Sequence, residues 1–273
     1  MTEIEYWDPL VWVDNGIESH DDICLLLLHG VGGRSTMWSG VMRALALQGI
    51  AAQACDLPGY GANQAIARTF EQICLQLSAS MIRLQAQNGC REFVLVGHSY
   101  GGMIVQEFLA RSLPADYLVT GVALLCTSAA FGKTQGDFQQ RFVESRLGPL
   151  RQGKTMLDVA RSLVPGMVGS APDPNVIEDA IAMMALVNPQ TYESAIKIIA
   201  QFDQRNHLSK VTKKCLLLSA QEDKTAPPTV MQGMHERLPG SIYAQALGAG
   251  HLLPMEQPHW VARHLGETFF RSC

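Results

Sequence analysis

The chain of 273 residues has no apolar run long enough to cross a bilayer. A spanning helix needs about 20 apolar residues, and the run Ile23–Leu28 stops far short of that. It has no basic stripe either. Lys and Arg number 21 against 25 Asp and Glu, for a formal charge of -4, so a nucleic-acid partner has little support. No block of like charge marks an interaction tail. There is no C-x-x-C pair, no H-E-x-x-H and no Cys/His cluster, so no metal site is expected. The cysteines (Cys24, Cys55, Cys74, Cys90, Cys126, Cys215 and Cys273) are odd in number, and several sit inside apolar runs. Reduced, mostly buried thiols fit them better than a disulfide framework. The opening residues, MTEIEYWDPL, are acidic and lack the apolar stretch of a signal peptide, which makes the cytoplasm the simplest address. No internal repeat and no low-complexity segment occurs.

What is present is a sizeable apolar content, 47% of residues, enough for one large domain or one domain with an insertion. Short apolar runs recur at Ile23–Leu28, Ile50–Cys55, Phe93–Gly97, Val119–Leu125, Cys215–Ser219 and Ser241–Ala246. Most are continuous rather than alternating, as expected of parallel strands buried on both faces. Helical patterns at Met37–Leu47, Thr69–Gln87 and Gly102–Arg111 fall between them. Such alternation predicts an α/β doubly wound, mostly parallel sheet. Between about Gly132 and Leu208 the alternation breaks. Helices are expected there at Phe138–Arg146, Lys154–Leu163, Val176–Val187 and Pro189–Phe202, the last capped by Asn188 with proline at its first position. This divides the chain into a core over 1–132, a helical lid over 133–208 inserted before the last strands, and a returning core over 209–273.

The stretch Gly97-His98-Ser99-Tyr100-Gly101 carries the chemistry. A serine at the tip of a sharp strand–turn–helix needs an unfavourable backbone conformation and near-absent side chains two residues either side. Both flanking positions are glycine, with a strand pattern before and a helix pattern after. Ser99 is therefore the candidate nucleophile, and a serine hydroxyl needs a base. His98 is adjacent, but neighbouring side chains diverge on so tight a turn, so it is read as packed scaffold. Two loops follow the carboxyl ends of later strands, where α/β sheets build their sites. One carries Asp223, with Glu222 beside it, and the other carries His251 behind Gly248 and Gly250. The chain order nucleophile, acid, histidine makes His251 the base and Asp223 its orienter. His207, His235, His259 and His264 lie in predicted helical or lid segments without such context. The early loop His29-Gly30-Val31-Gly32-Gly33 offers an oxyanion donor from the Val31 N–H, with the Tyr100 N–H as the second. Arg34 and Trp38, just beyond, are the candidates for substrate binding. Arg34 would act as a fork for a carboxylate and Trp38 as pocket wall, against the alternatives of a solvated arginine and plain packing. Asp56–Gly61, DLPGYG, reads as a structural turn.

Taken together, His29-Gly30, DLPGYG, GHSYGG, QEDKTAPP and GAGHLLPMEQP stand in an order and at intervals that resemble the α/β-hydrolase family across nearly the whole chain. Within it, SYGGMIVQ and the segment Asn188–Val211 resemble 3-oxoadipate enol-lactonases and related small-molecule esterases. The resemblance implies hydrolysis of a small-molecule ester or lactone, with no cofactor required. It also implies that a lid covers the pocket, so that Arg141, Arg146, Arg151, Lys154 or Arg161 could meet an acidic substrate, against the alternative of a charged outer helix face. Rival readings are a hydrolase of carbon–carbon bonds in dienoic keto acids, a cofactor-free heteroaromatic dioxygenase, and a non-catalytic binding protein on the same scaffold. The dioxygenases resemble this chain but carry their aspartate after an earlier strand, where Leu124–Gly132 offers no carboxylate. The partner expected is a small molecule, with no nucleic acid and no membrane, and homo-oligomerisation is left open.

Overall fold

The computed structural model describes residues 10–18, 22–88, 90–132 and 137–270. The N-terminal segment read for a signal peptide lies outside these residues, apart from Leu10, as do Lys133 at the expected start of the lid and Cys273.

Among the described residues, seven strands form one sheet: β1 (Val11–Asp14), β2 (Ile23–Leu28), β3 (Ala52–Asp56), β4 (Glu92–His98), β5 (Val119–Leu125), β6 (Lys214–Ala220) and β7 (Ile242–Ala246). Their spatial order is β1-β3-β2-β4-β5-β6-β7. All neighbours are parallel except β1, which runs antiparallel to β3. The sequence reading did not include β1. It has four residues, two of them exposed valines, and sits on the sheet edge, so it shows neither the continuous apolar run nor the length that marks the others.

The continuous runs follow from burial on two faces. In β4, Phe93 and Leu95 pack on one side and Val94 and Val96 on the other. In β2, Cys24, Leu26 and Leu28 oppose Leu25 and Leu27 in the same way. Each fully buried leucine is worth about 1.5–3 kcal/mol, so no register slip could expose either set cheaply. Helices α2 (Phe70–Asn88) and α3 (Tyr100–Ala110) pack against one face, and α1 (Ser39–Ala46) with α10 (Pro258–Phe269) against the other. The six described cysteines are buried, and none is in a disulfide. Among the described residues no helix is long and apolar enough to cross a membrane.

Among the described residues, four α-helices lie between β5 and β6 in the chain: α4 (Phe138–Arg151), α5 (Met156–Leu163), α6 (Pro174–Ala185) and α7 (Pro189–Ile199). Their starts are set locally. Thr155 and Asp158 form a reciprocal capping box for α5, while the Asp173 and Asn188 side chains accept from Asn175 N–H and Gln190 N–H. The two ends of this insert meet at a short neck. There Phe131 N–H donates to the Phe202 carbonyl at 2.8 Å and Gln204 N–H to the Ala129 carbonyl at 2.7 Å. After β6, α8 (Pro228–His235) and α9 (Leu253–Glu256) complete the core.

Candidate active site

The site forms where the strand order reverses. The chain leaves β2 toward α1 on one face and leaves β4 toward α3 on the other, which opens a crevice beyond their carboxyl ends. The loops after β2 and β4 border it directly. A Cβ placed on Gly30 would lie 3.4 Å from Ser99 Cβ.

Ser99 adopts φ 52° and ψ -112°, a strained conformation for a residue with a side chain. Strain of about 1–3 kcal/mol persists only when the surroundings over-determine it. Here Ser99 N–H donates to the Leu125 carbonyl at 2.9 Å, and its own carbonyl accepts from Thr127 Oγ1–H at 2.8 Å and Met103 N–H at 3.1 Å. The flanking glycines are required by contact. A Cβ on Gly97 would sit 2.4 Å from the Gly101 carbonyl oxygen, and one on Gly101 would sit 2.3 Å from that of Leu28.

Three loops bring the candidate residues together. The Ser99 hydroxyl donates to His251 Nε2 at 3.0 Å, and His251 Nδ1–H donates to Asp223 Oδ2 at 2.8 Å. Asp223 Oδ1 accepts from Thr225 N–H at 2.7 Å and Ala226 N–H at 2.9 Å. Burial works to raise the Asp223 carboxyl. The charge and hydrogen bond of His251, with the two N–H donors, outweigh it and hold the group below the usual carboxylate range. Glu222, its neighbour, is turned away and accepts from Ser170.

His98 faces the interior. Its Nε2–H donates to the His251 carbonyl at 2.7 Å, and burial, followed by the nearby His251, lowers it to about 3. It is a neutral brace for the His251 loop and makes no hydrogen bond to Ser99. Of the other histidines, His235 bonds Ser241 and His264 bonds the Trp260 carbonyl, neither near the crevice.

The loop after β2 is held by groups that sequence reasoning treated as turn residues. His29 Nδ1–H donates to the Gly30 carbonyl at 2.7 Å, while its Nε2 accepts from Leu57 N–H at 3.0 Å. Tyr60 Oη–H donates to the Val31 carbonyl at 2.9 Å. The DLPGYG turn thus clamps the loop that carries Val31. Among the described residues no backbone acceptor takes the Val31 N–H or the Tyr100 N–H. The Tyr100 ring packs inward near Phe70.

Arg34 and Trp38 do not occupy the places expected of substrate contacts. Arg34 turns toward Asp56, 3.8 Å away, because that buried carboxylate already accepts from Ser35 N–H and draws the guanidinium to the same side. Trp38 is wholly buried in the core on the α1 and α10 side of the sheet. Neither lines the cavity. Among the described cations of the insert, Arg146 alone does so, with its guanidinium 5.4 Å from the Phe142 ring centre. Arg141 pairs with Asp137, Arg151 with Glu144, and Lys154 and Arg161 are exposed.

The cavity, about 430 Å³, lies between Ser99 and His251 and residues of both the core and the insert. Met103, Phe131, Phe142, Met184 and Ile196 give it an apolar character, and Thr127, Ser128 and Arg146 are among the few polar groups. Sequence periodicity places Met103, Phe142, Met184 and Ile196 on helices but does not say which faces meet, so the methionine-rich wall was not legible beforehand.

Known proteins resemble this chain in sequence and in fold. The chain is 27% identical over 225 residues to the pimeloyl-[acyl-carrier protein] methyl ester esterase of Vibrio vulnificus, covering 80% of this chain and 82% of that protein. A thermophilic esterase from Thermogutta terrifontis superposes with a TM-score of 0.82 at 25% identity, over 94% of this chain and 92% of the other. The enol-lactonase from Burkholderia xenovorans LB400 superposes with a TM-score of 0.80 at 20% identity, over 96% of both chains, a likeness of fold. The model of the alpha/beta hydrolase family matches residues 25–264, nearly the entire chain, and the protein belongs to that family.

Proposed function

We propose that the protein hydrolyses esters or lactones of small molecules through an acyl-enzyme. Ser99 attacks the carbonyl while His251 accepts its proton, and the Val31 and Tyr100 N–H groups receive the oxyanion. His251 then returns the proton to the leaving alcohol and activates water against the acyl-enzyme. Asp223 keeps the proton on Nδ1, leaves Nε2 free for Ser99 and stabilises the imidazolium. Only side chains, backbone N–H groups and water take part.

The observation that carries this reading is the continuous hydrogen-bond chain from Asp223 through His251 to Ser99, at 2.8 and 3.0 Å, ending at an apolar cavity. The ester chemistry named for the Vibrio and Thermogutta proteins supports the same reaction class. The methionine and phenylalanine wall favours an apolar acyl group, since adaptable thioether side chains accept varied apolar shapes. Arg146 offers one charged contact to a polar end.

The test is a panel of nitrophenyl esters of graded acyl length, lactones, enol-lactones and dienoic keto acids, run beside Ser99→Ala. Hydrolysis of apolar esters is expected, with roughly a 10³-fold or greater loss in the variant. Activity retained in Ser99→Ala would overturn the mechanism, and turnover confined to the keto acids would move the reading to carbon–carbon hydrolysis.

A further inference from the structure

His251 is held by its backbone as firmly as by its ring. Its N–H donates to the Met167 carbonyl at 2.6 Å, and its carbonyl accepts from His98 at 2.7 Å. The preceding N–H, from Gly250, donates to Glu256 at 3.1 Å for Oε1 and 3.0 Å for Oε2. Glu256 Oε2 also accepts from Gly169 N–H at 2.7 Å. Met167 and Gly169 belong to the turn between α5 and α6, inside the helical insert. The same turn is tied to the loop carrying Asp223, because Ser170 N–H and Oγ–H donate to Glu222 at 2.7 and 3.0 Å.

The two backbones meet without room for side chains. A Cβ on Gly169 would lie 2.3 Å from the Gly248 carbonyl oxygen, and one on Gly250 would lie 2.4 Å from the Val168 carbonyl carbon. Glu256 does not line the cavity and makes no hydrogen bond to Ser99, His251 Nε2 or Asp223. Its half-buried carboxylate accepts backbone hydrogen bonds from both sides, from Gly169 of the insert and from Gly250 and Leu252 on either side of His251, and these oppose the burial that pushes its pKa up. Hydrogen bonds to an ionised acceptor are the stronger kind, and among the described residues this carboxylate is the one side chain that bridges Gly169 of the insert and Gly250 of the His251 loop, beside the direct bond from the His251 N–H to the Met167 carbonyl.

We propose that Glu256 is a positioning residue whose carboxylate joins the 167–170 turn of the insert to the His251 loop, so that placement of the base depends on docking of the insert. Glu222 with Ser170 forms the second strut of the same latch. The proposal rests on the reading of Ser99 as nucleophile and His251 as base.

The variants are Glu256→Ala and Glu256→Gln in the full chain, with kcat, KM, thermal stability and the rate of fluorophosphonate labelling at Ser99 as readouts. Misplacing a base by a fraction of an ångström slows chemistry without altering the cavity. Glu256→Ala is therefore expected to lower kcat and labelling together by about tenfold or more, with KM within about twofold. Glu256→Gln keeps an oxygen that can accept from both glycines and should return kcat to within about threefold of the parent. A folded Glu256→Ala protein with unchanged kcat, or one whose loss lies entirely in KM, overturns the proposal, as does a Gln variant no better than the Ala one. If Glu256→Ala does not fold, the pair Glu222→Gln with Ser170→Ala tests the exposed strut. A fall in kcat of about threefold at constant KM supports the latch, and no change overturns it. A parent protein that neither labels with the fluorophosphonate nor hydrolyses any ester refutes the serine reading itself. A parent that labels while Glu256→Ala labels equally fast refutes only the latch.

Discussion

Acid stability tests how the site is braced. His29 and His98 are both buried and uncharged, and each spends a ring N–H on a backbone carbonyl. Burial is the main cause that lowers His29 to about 4 and His98 to about 3. In the unfolded chain each returns to about 6.5. A group whose folded pKa is depressed gains its proton on unfolding at any pH between the two values. Its contribution is complete above about pH 6.5 and drains as the pH falls toward the folded values. Moving from pH 8 to pH 5 crosses about 1.5 units of that window, at about 1.36 kcal/mol per unit, or about 2 kcal/mol for each histidine. The pair costs about 4 kcal/mol, a large part of the 5–15 kcal/mol, roughly, that holds a domain folded. Urea unfolding followed by tryptophan fluorescence at a series of pH values measures this directly. His98→Gln, which cannot titrate, should shrink the difference between pH 8 and pH 5 by about 2 kcal/mol. A parent protein whose stability changes by less than about 1 kcal/mol over that range, or a variant with the same pH dependence as the parent, would refute the account of these histidines as neutral braces.

Three further outcomes follow from the same geometry. Asp223→Asn presents an N–H to His251 Nδ1 and turns the imidazole to the wrong tautomer, so kcat should fall about 10³–10⁴-fold with KM little changed; steady-state kinetics showing less than about a tenfold loss would count against Asp223 as orienter. Gly101→Ala drives a Cβ to 2.3 Å from the Leu28 carbonyl oxygen, which belongs to a central strand and cannot yield. It should cost at least about 3 kcal/mol in urea unfolding, and a near-neutral result would contradict the close approach of α3 to β2. Tyr60→Phe removes the hydroxyl that donates to the Val31 carbonyl. A stability loss of about 1 kcal/mol with a three- to tenfold drop in kcat, roughly, is expected, and unaltered turnover would argue that Val31 is not held for catalysis.

Much of the fold was readable because its signals are local. The strands buried on both faces announce themselves as unbroken apolar runs, and Asn188-Pro189 caps α7 where the sequence places it. The other boundaries moved for definable reasons. Residues Ser35–Trp38 form a tight 3-10 turn before α1 rather than its first turn, and α4 runs through Pro149 to Arg151 instead of ending at Arg146. A proline late in a helix removes one N–H, while the turns on either side keep theirs. Strand β1 was missed because an edge strand with one partner needs little apolar pattern. Arg34 and Trp38 were misplaced because proximity along the chain to a glycine loop says nothing about which way a side chain turns. Asp56 and the α1–α10 core decided that.

The local steric code by itself determined that Ser99 sits on a strained turn flanked by two residues that cannot carry a Cβ. That is a property of a few adjacent residues, while helical patterning without apolar strand runs marked the long segment between β5 and β6. Which histidine reaches Ser99 is a property of the sheet. His251 lies 152 positions away in the chain and arrives because β4, β5, β6 and β7 pack side by side and end at one edge. His98, directly adjacent in sequence, is turned inward to brace the His251 loop. The cavity wall, the clamp on Val31 and the Glu256 latch are likewise made by segments that meet only after the chain has folded. Their hydrogen bonds join backbone groups whose partners no periodicity or motif specifies.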